Sequence, residues 1–357
     1  MEPKLHANNL VIHNSYIMLR KKIIPSGNAY LGISIETRKP IVIKFEPNDL
    51  NNLEKENEAY NELKELERIP KLLWYGDQNK YTYLIIQLLG PSLRFLFKDC
   101  CNKKFSLGTI LNISLQMISI LEQIHQKGVI LRYIKPSNMV IGLKENNKKI
   151  YFIDFELAKK YIKNGKHLDN IKARHIRGNR IYISANAHKG NKTSRRDDIE
   201  SLGYNIIYYM KGGKLPWNNT DDMNELESIK MNISIDELCE GLPEEIKLFI
   251  KYAKEMDFYQ EPDYKYLKGL LLTIAKNNNI DINNVEFDWE KNIIYNYYIK
   301  CRLEIENDLE FGMNIEKIKE NTDTDNSDYL DNDFKNTIIK DEENVSKNNS
   351  DNYKDNN

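Results

Sequence analysis

Four polar residues spread along the chain are of types that could handle a phosphate group and a metal ion. Lys44 ends an apolar run, and Glu56 follows it in a charged, amphipathic stretch. Asn138 and Asp154 stand on two predicted loops beside a short apolar run. Amide and carboxylate oxygens suit Mg²⁺, which binds through few protein groups plus phosphates. Taken alone, Lys44 is more simply a solvated strand end, or one half of an ion pair that only holds a helix in place.

The elements that must position these residues change character near Gly90. Residues rich in β-branched side chains before this point predict strands over 16–24, 41–45 and 83–89, with an amphipathic helix over 53–66. Beyond it, apolar residues at helical spacing predict helices over 106–127, 199–210, 244–256 and 264–275, with a short strand over 150–153. The sequence therefore predicts an α+β fold, with a small strand-rich lobe followed by a larger helical lobe.

Length and charge exclude several classes of protein. The chain has 357 residues, and its 52 basic and 53 acidic side chains give a net charge of -1. This balance argues against a globally basic nucleic-acid binder. Because no apolar run approaches the ~18 residues of a membrane span, and residues 1–9 lack a secretory core, we expect an intracellular protein, cytoplasmic or nuclear. The four cysteines show no metal-binding spacing and are expected to be reduced thiols.

The charge is unevenly distributed along the chain. Residues 321–357 hold ten Asp or Glu against four Lys or Arg, about -6, so residues 1–320 carry about +5. The same stretch is dense in Asn and Asp and poor in apolar residues, which predicts a disordered acidic tail. Residues 1–15 are interpreted as an N-terminal extension and 301–320 as a connector.

A set of motifs stands in a definite order along the chain. They are Leu88-Leu89-Gly90-Pro91-Ser92-Leu93, Lys135-Pro136-x-Asn138, Asp154-Phe155-x-Leu157-Ala158, Ser194-Arg195-Arg196-Asp197-Asp198-Ile199-Glu200-Ser201-Leu202-Gly203-Tyr204, Leu215-Pro216-Trp217 and Phe287-Asp288-Trp289. In order and spacing this set resembles the casein kinase I family of protein Ser/Thr kinases. The resemblance implies a bilobal kinase-like domain over about 16–300, with lobes over about 16–89 and 90–300.

The resemblance also implies roles for individual residues. Lys44 would pair with Glu56 and position the α- and β-phosphates of ATP, Asp154 and Asn138 would hold Mg²⁺, and Lys135 would lie near the γ-phosphate.

The same resemblance places an adenine pocket and a phosphate-covering loop. Ile86 would stand at the back of that pocket, and backbone groups from Gln87 to Leu89 would hydrogen-bond the adenine. The loop over residues 24–29 is about two residues shorter than that of the family and keeps one glycine, Gly27. Its Pro25 lacks an N–H, so fewer backbone donors are expected to reach phosphate oxygens.

The chain departs from the family at the catalytic base. Where a kinase has His-Arg-Asp, this chain has Leu131, Arg132 and Tyr133. A phenol ordinarily titrates near ~10, is neutral at pH 7 and does not accept the substrate proton as the Asp would. Glu156 replaces the glycine of the metal-binding loop. We expect it to adopt strained backbone angles and to disturb the Mg²⁺ site.

The segment that resembles the family's substrate-recognition motif is also altered. Asn179 replaces a Thr that contacts the catalytic Asp, and Ile181 replaces an Arg that helps bind phosphorylated substrates, although Arg180 stands beside it. The basic residues nearby, Lys172, Arg174 and Arg177, fit a solvated loop equally well.

Two functional hypotheses follow from these departures. The first is a pseudokinase that retains ATP-binding residues, transfers phosphate poorly or not at all, and acts by binding other proteins. The second is an active Ser/Thr kinase in which Glu156 or water takes the proton, because phosphoryl transfer depends mainly on positioning and electrostatics. In both cases the expected cofactors are ATP and Mg²⁺ and the expected partners are proteins, with no nucleic acid and no membrane span.

Overall fold

The computed structural model describes residues 10–23, 28–173, 175–220, 222–292 and 295–296. Gly27, most of its loop, the connector and the predicted tail lie outside this set. The described chain forms two compact units, the first over residues 10–53 and 73–88 and the second over 54–72 and 89–296.

The first unit is built on a six-stranded antiparallel sheet in the order β1-β2-β3-β4-β6-β5. Its strands are β1 (Leu10–Ile12), β2 (Tyr16–Lys22), β3 (Ala29–Ser34), β4 (Pro40–Pro47), β5 (Leu72–Gln78) and β6 (Tyr81–Gln87). Along β4, Ile41 and Ile43 are buried, whereas Val42 and Lys44 are half-buried. This alternation is typical of a strand with one buried face. The register of β4 and β6 pairs Lys44 with Leu84 and Val42 with Ile86.

Side chains join the two edge strands of this sheet. The Nε2 of Gln78 on β5 donates to the carbonyl of Val11 at 2.9 Å, and its Oε1 accepts from the backbone N–H of His13 at 2.8 Å. The rings of His13 and Trp74 stack with centroids 4.8 Å apart. The sheet therefore curls until β1 and β5 meet, which covers edges that would otherwise be open to pairing with other strands.

The second unit is mainly helical. Its helices are α1 (Asn52–Leu63), α2 (Leu93–Phe95), α3 (Leu107–Gln126), α4 (Ala185–His188), α5 (Arg195–Met210), α6 (Met223–Asn232), α7 (Ile235–Leu238), α8 (Glu244–Glu255) and α9 (Tyr264–Asn277). Short strand pairs join β7 (Val129–Ile130) with β10 (Lys159–Lys160), β8 (Met139–Ile141) with β9 (Ile150–Phe152), and β11 (Ile162–Lys163) with β12 (Lys166–His167). Single helical turns cover Leu96–Cys100, Pro136–Asn138, Lys144–Asn146 and Ile282–Asn284.

Helix α3 forms the centre of the second unit. Ser106 caps its start, where the Oγ accepts from the N–H of Thr109 at 3.2 Å. Its apolar stripe, including Ile113, Met117 and Leu121, is fully buried. Among the described helices it alone has the length and hydropathy of a membrane span. Because its stripe packs inside the unit, burial in the protein core accounts for that composition.

Helix α1 is anchored at both ends. At its start, the Oε1 of the buried residue Glu46 accepts from the N–H of Leu53 at 2.6 Å, satisfying a donor that the helix itself leaves free. Further along, the ring of Tyr60 meets Phe155 edge-on at 4.9 Å, and Glu62 forms an ion pair with Lys160. The contacts of Tyr60 and Glu62 fix most of α1 within the second unit, although the elements before and after α1 in the sequence are strands.

The predicted architecture is confirmed, and several boundaries shift for identifiable reasons. The helix predicted over 199–210 begins earlier, at Arg195, because Ser194 and Asp197 form a capping box in which the Ser194 N–H donates to Asp197 Oδ2 at 2.7 Å. The short strand predicted over 150–153 is β9, whereas the other short strands of the second unit were not predicted, since two or three residues carry no periodicity. Cys100, Cys101 and Cys239 are free thiols, and Cys301 lies outside the described residues.

We expect Glu46→Ala to lower the free energy of unfolding by about 1–3 kcal/mol, because the buried N–H of Leu53 loses its acceptor. Urea titration followed by circular dichroism measures this loss. Asp49→Ala, at an exposed position on the same connection, is the control and should cost under about 0.5 kcal/mol. Equal effects of the two substitutions would contradict this account of how α1 begins.

Candidate active site

A buried carboxylate on α5 holds the loop that follows β7. Asp198 is 1% exposed, and its oxygens accept the N–H groups of Leu131 at 2.7 Å and Arg132 at 2.8 Å. Arg132 has a φ of 62°, so the chain turns sharply at this point. Asp198 therefore orders this loop, whereas Ser194 and Asp197 cap the start of α5.

The carboxylate of Asp198 is itself held from behind. The Nε2 of His125 lies 3.0 Å from Asp198 Oδ2, and its Nδ1 lies 2.6 Å from the hydroxyl of Tyr264. An N–H on Nε2 and a hydroxyl donating to Nδ1 satisfy both contacts. The hydroxyl of Tyr161 donates to the carbonyl of His125 at 2.7 Å. This network spans α3, α5 and α9, so the loop it holds is fixed to three helices.

The loop presents Tyr133 where the resemblance expects the catalytic Asp. The Nζ of Lys135 lies 3.7 Å from the centroid of the Tyr133 ring, a close cation–π contact. The Nδ2 of Asn138 donates to the backbone carbonyl of Tyr133 at 3.1 Å. The structure thus brings together three of the predicted site residues. The ring of Tyr133 engages the ammonium that the resemblance places near the γ-phosphate.

Asp154 and Glu56 come together around a buried phenol. Asp154 has a φ of 69°, and the next residue, Phe155, is buried against Tyr60. Burial raises the pKa of Tyr60 well above its usual value, and the charges of Glu56 and Asp154 raise it further. Glu56 is 1% exposed. Two predicted site carboxylates therefore lie close to one hydroxyl inside the second unit.

The expectation for Glu156 was wrong in one respect. Among the described residues, the left-handed φ in this turn falls on Asp154, and Glu156 does not share it. The side chain of Glu156 is half-buried in the turn that follows. A glycine is therefore not required at position 156, and the substitution costs no backbone strain of the predicted kind.

The predicted adenine-pocket residues divide between the two units. Ile86 and Gln87 lie on β6 in the first unit, as does Lys44 on β4. Leu89 belongs to the second unit, where it packs with Val140 and Tyr151. Gly27 lies outside the described residues.

A family model for the protein kinase domain matches residues 25–267, more than half of the chain. The chain belongs to the protein kinase family. This assignment accords with the curled strand-rich sheet of the first unit and the helical second unit. Kinase domains generally bind ATP and Mg²⁺, and in the second unit Asn138 and Asp154 offer an amide and a carboxylate as ligands for such a metal. Carboxylate and amide oxygens are suitable Mg²⁺ ligands, so the donor set fits the metal.

The kinase domain also carries a cluster of cations that sequence reasoning did not assemble. Burial, together with Arg177, lowers the pKa of Arg132 to about 10, while Asp198 opposes the shift. Burial likewise lowers the pKa of Lys159, and repulsion from Arg132, Lys192 and Arg177 adds to this effect. Arg132 and Lys159 are therefore each repelled by cationic neighbours in this part of the second unit. The only signal in the sequence was the density of basic residues from 159 to 196.

The segment that follows the cluster packs against the catalytic loop of the kinase domain. Gly178 has a φ of 117°, and a Cβ there would lie 2.7 Å from the carbonyl oxygen of Arg132 and 2.4 Å from Cγ2 of Ile183. The Oδ1 of Asn179 accepts from the N–H of Ile181 at 3.0 Å, so this side chain is used within its own turn.

We expect Gly178→Ala to destabilise the protein by about 2–4 kcal/mol, because it combines a disfavoured φ with a backbone collision. Gly165→Ala is the matched control: Gly165 has a φ of 73° and open space around its Cα, so only the backbone cost of about 1 kcal/mol applies. Chemical unfolding of both variants measures the difference. Equal losses would show that the contact with Arg132 adds nothing.

Proposed function

We propose that this kinase domain is a casein kinase I-like pseudokinase that binds ATP with Mg²⁺ and acts through binding to other proteins. The observation that carries the proposal is the state of the catalytic loop. Its backbone is held by Asp198, while its base position holds Tyr133 in contact with Lys135. The backbone of the catalytic loop is ordered although the catalytic base is absent. This combination favours a domain that binds other proteins over one that transfers phosphate.

The magnitude of the loss depends mainly on the missing carboxylate. A general base contributes about 10²–10⁴-fold to a rate. The contact of Lys135 with the ring is worth about 0.5–1 kcal/mol at an exposed site and about 2 kcal/mol when desolvated. This second contribution is small beside the attraction of an ammonium for phosphate at short range. The absent base is therefore the larger defect, and the held lysine adds to it.

Nucleotide binding draws support from the residues that remain. Asn138 is 4% exposed and engaged with the loop backbone, and Asp154 follows β9 in a turn fixed by Phe155. The carbonyl of Asn138 accepts from the N–H of Ile153 at 2.9 Å. This hydrogen bond holds the loop that contains Asn138 beside the loop that contains Asp154. A Mg²⁺ ion held there would neutralise phosphate charge.

The partners in this proposal are proteins, and neither nucleic acid nor a membrane span forms part of it. The assignment to casein kinase I rests on the ordered motifs, above all Ser194 to Tyr204, whose Asp197 and Asp198 have distinct hydrogen-bonding tasks in α5.

We expect the wild-type protein to transfer labelled phosphate from ATP to casein at a rate far below the ~1–100 s⁻¹ typical of kinases. Tyr133→Asp should raise this rate by about 10²-fold or more, because it restores the base and frees Lys135. Tyr133→Phe is the control: it keeps the ring over which Lys135 lies and should leave transfer at the wild-type level.

The alternative is an active Ser/Thr kinase with an atypical loop. The retained pair of metal-ligand loops, with Asn138 and Asp154 in place, is the observation that favours it, since transfer depends largely on positioning. If the wild-type protein transfers phosphate at a rate typical of kinases, and Tyr133→Asp lowers that rate, the alternative is established and the pseudokinase proposal is refuted.

We expect ATP with Mg²⁺ to raise the melting temperature, and Asp154→Asn to abolish the part of the rise that needs Mg²⁺, because a metal ligand is lost while shape is kept. Differential scanning fluorimetry with ATP, with and without the metal, measures both shifts. Asp169→Asn, on the loop after β12, should leave them unchanged. A wild-type protein that shows no shift at millimolar ATP would reduce the proposal to a scaffold without nucleotide.

A further inference from the structure

A lysine on α6 is completely enclosed by the second unit. Lys230 is 0% exposed, and its Nζ donates to the carbonyl oxygens of Arg180 at 3.0 Å, Ile181 at 3.1 Å and Ile183 at 2.9 Å. Lysine is almost never fully buried unless its charge is paired or hydrogen-bonded. Here one ammonium serves three carbonyls of a single short segment, so the position has a specific structural task.

The hydrogen-bond pattern indicates which form of the side chain occupies the site. The Nε2 of His188 lies 3.1 Å from the Arg180 carbonyl and 3.2 Å from the Nζ of Lys230. Burial and the charge of Lys230 lower the pKa of His188 to about 4, so its ring is neutral, and an N–H on Nε2 donates to that carbonyl. Burial lowers the pKa of Lys230 to about 7, with Glu200 opposing the shift. Three carbonyl acceptors require three N–H donors, which only the ammonium form supplies.

Aromatic rings complete the enclosure. The Nζ of Lys230 lies 4.8 Å from the ring centroid of Trp217 and 5.1 Å from that of Tyr204, distances at which ring faces attract a cation. The Nε1–H of Trp217 donates to the carbonyl of Ile181 at 2.9 Å. The cation and the indole therefore act on the same backbone group.

The bonded segment lies against the catalytic loop. Its first residue, Gly178, packs on the carbonyl of Arg132. Its last part is tied to α5, where the Oε1 of Glu200 accepts from the N–H of Ala185 at 2.8 Å. Between these ends, the carbonyls of Arg180, Ile181 and Ile183 turn inward, and side chains from outside the segment satisfy them. The ammonium of Lys230 contacts all three.

We propose that Lys230 is a positioning residue, whose ammonium holds residues 178–188 in a single conformation beside the catalytic loop. This positioning needs neither nucleotide nor a partner, so it does not depend on the proposed function.

Hydrogen exchange on the full-length protein, without nucleotide or partner, tests this directly. Lys230→Met keeps length and removes the donors, and we expect amides of 182–185 to lose about tenfold or more of their protection while the centre of α9 keeps its own. Lys230→Gln, which retains two donors, should lose less than Lys230→Met. Lys251→Met, at an exposed site on α8, should leave both regions unchanged.

Three results would overturn the proposal: unchanged protection in Lys230→Met, an equal loss throughout the second unit, or better protection in Lys230→Met than in Lys230→Gln. The wild-type protein supplies a second measurement that holds even if neither variant folds. Nitrogen-15 NMR of the lysine side chains at pH 6, below the pKa of about 7 for Lys230, should show one ammonium whose protons exchange slowly with water. A neutral amine at Lys230 at this pH would overturn the proposal. Because no nucleotide, partner or turnover enters these measurements, failure of the proposed function would leave their outcome unaffected.

Discussion

The buried carboxylate of Asp198 is the interaction on which the second unit of this kinase domain depends. It accepts two consecutive N–H groups of the catalytic loop and contacts His125, which contacts Tyr264. Removing a partner from such a buried set leaves charged or polar groups unsatisfied, which is far costlier than losing a surface ion pair. The loop is therefore kept in place whatever side chain stands at position 133.

The hydrogen bonds that order the loop backbone do not involve the side chain at position 133. This independence explains how the loop tolerates Tyr133. Hydrogen bonds from the side chains of Asp198, Asn138 and Asn205 shape the loop, and none of these three requires an Asp at the base position. The ring of Tyr133 contacts the ammonium of Lys135. A catalytic residue can thus be lost without loss of fold, and binding functions can persist on the same framework.

Most of the fold could be predicted from the sequence because long amphipathic segments carry a clear period. Helix α3 and strand β6 lie within a few residues of their predicted bounds. Asn138 and Asp154 were singled out because a motif names each residue, and their role as metal ligands stays a prediction. Contacts between distant residues were not: nothing in the sequence around Lys230 indicates that three carbonyls some 50 residues earlier would surround its ammonium. The stacking of Lys135 on Tyr133 also escaped prediction, because it depends on side-chain orientation within the loop.

A crystal structure of the full chain with a non-hydrolysable ATP analogue and Mg²⁺ tests the central claim most directly. The account predicts that Asp198 still accepts the N–H groups of Leu131 and Arg132, and that no carboxylate comes within hydrogen-bond distance of the place where an acceptor hydroxyl would sit. A loop released from Asp198, or a carboxylate of Glu156 turned toward the acceptor position, would contradict it.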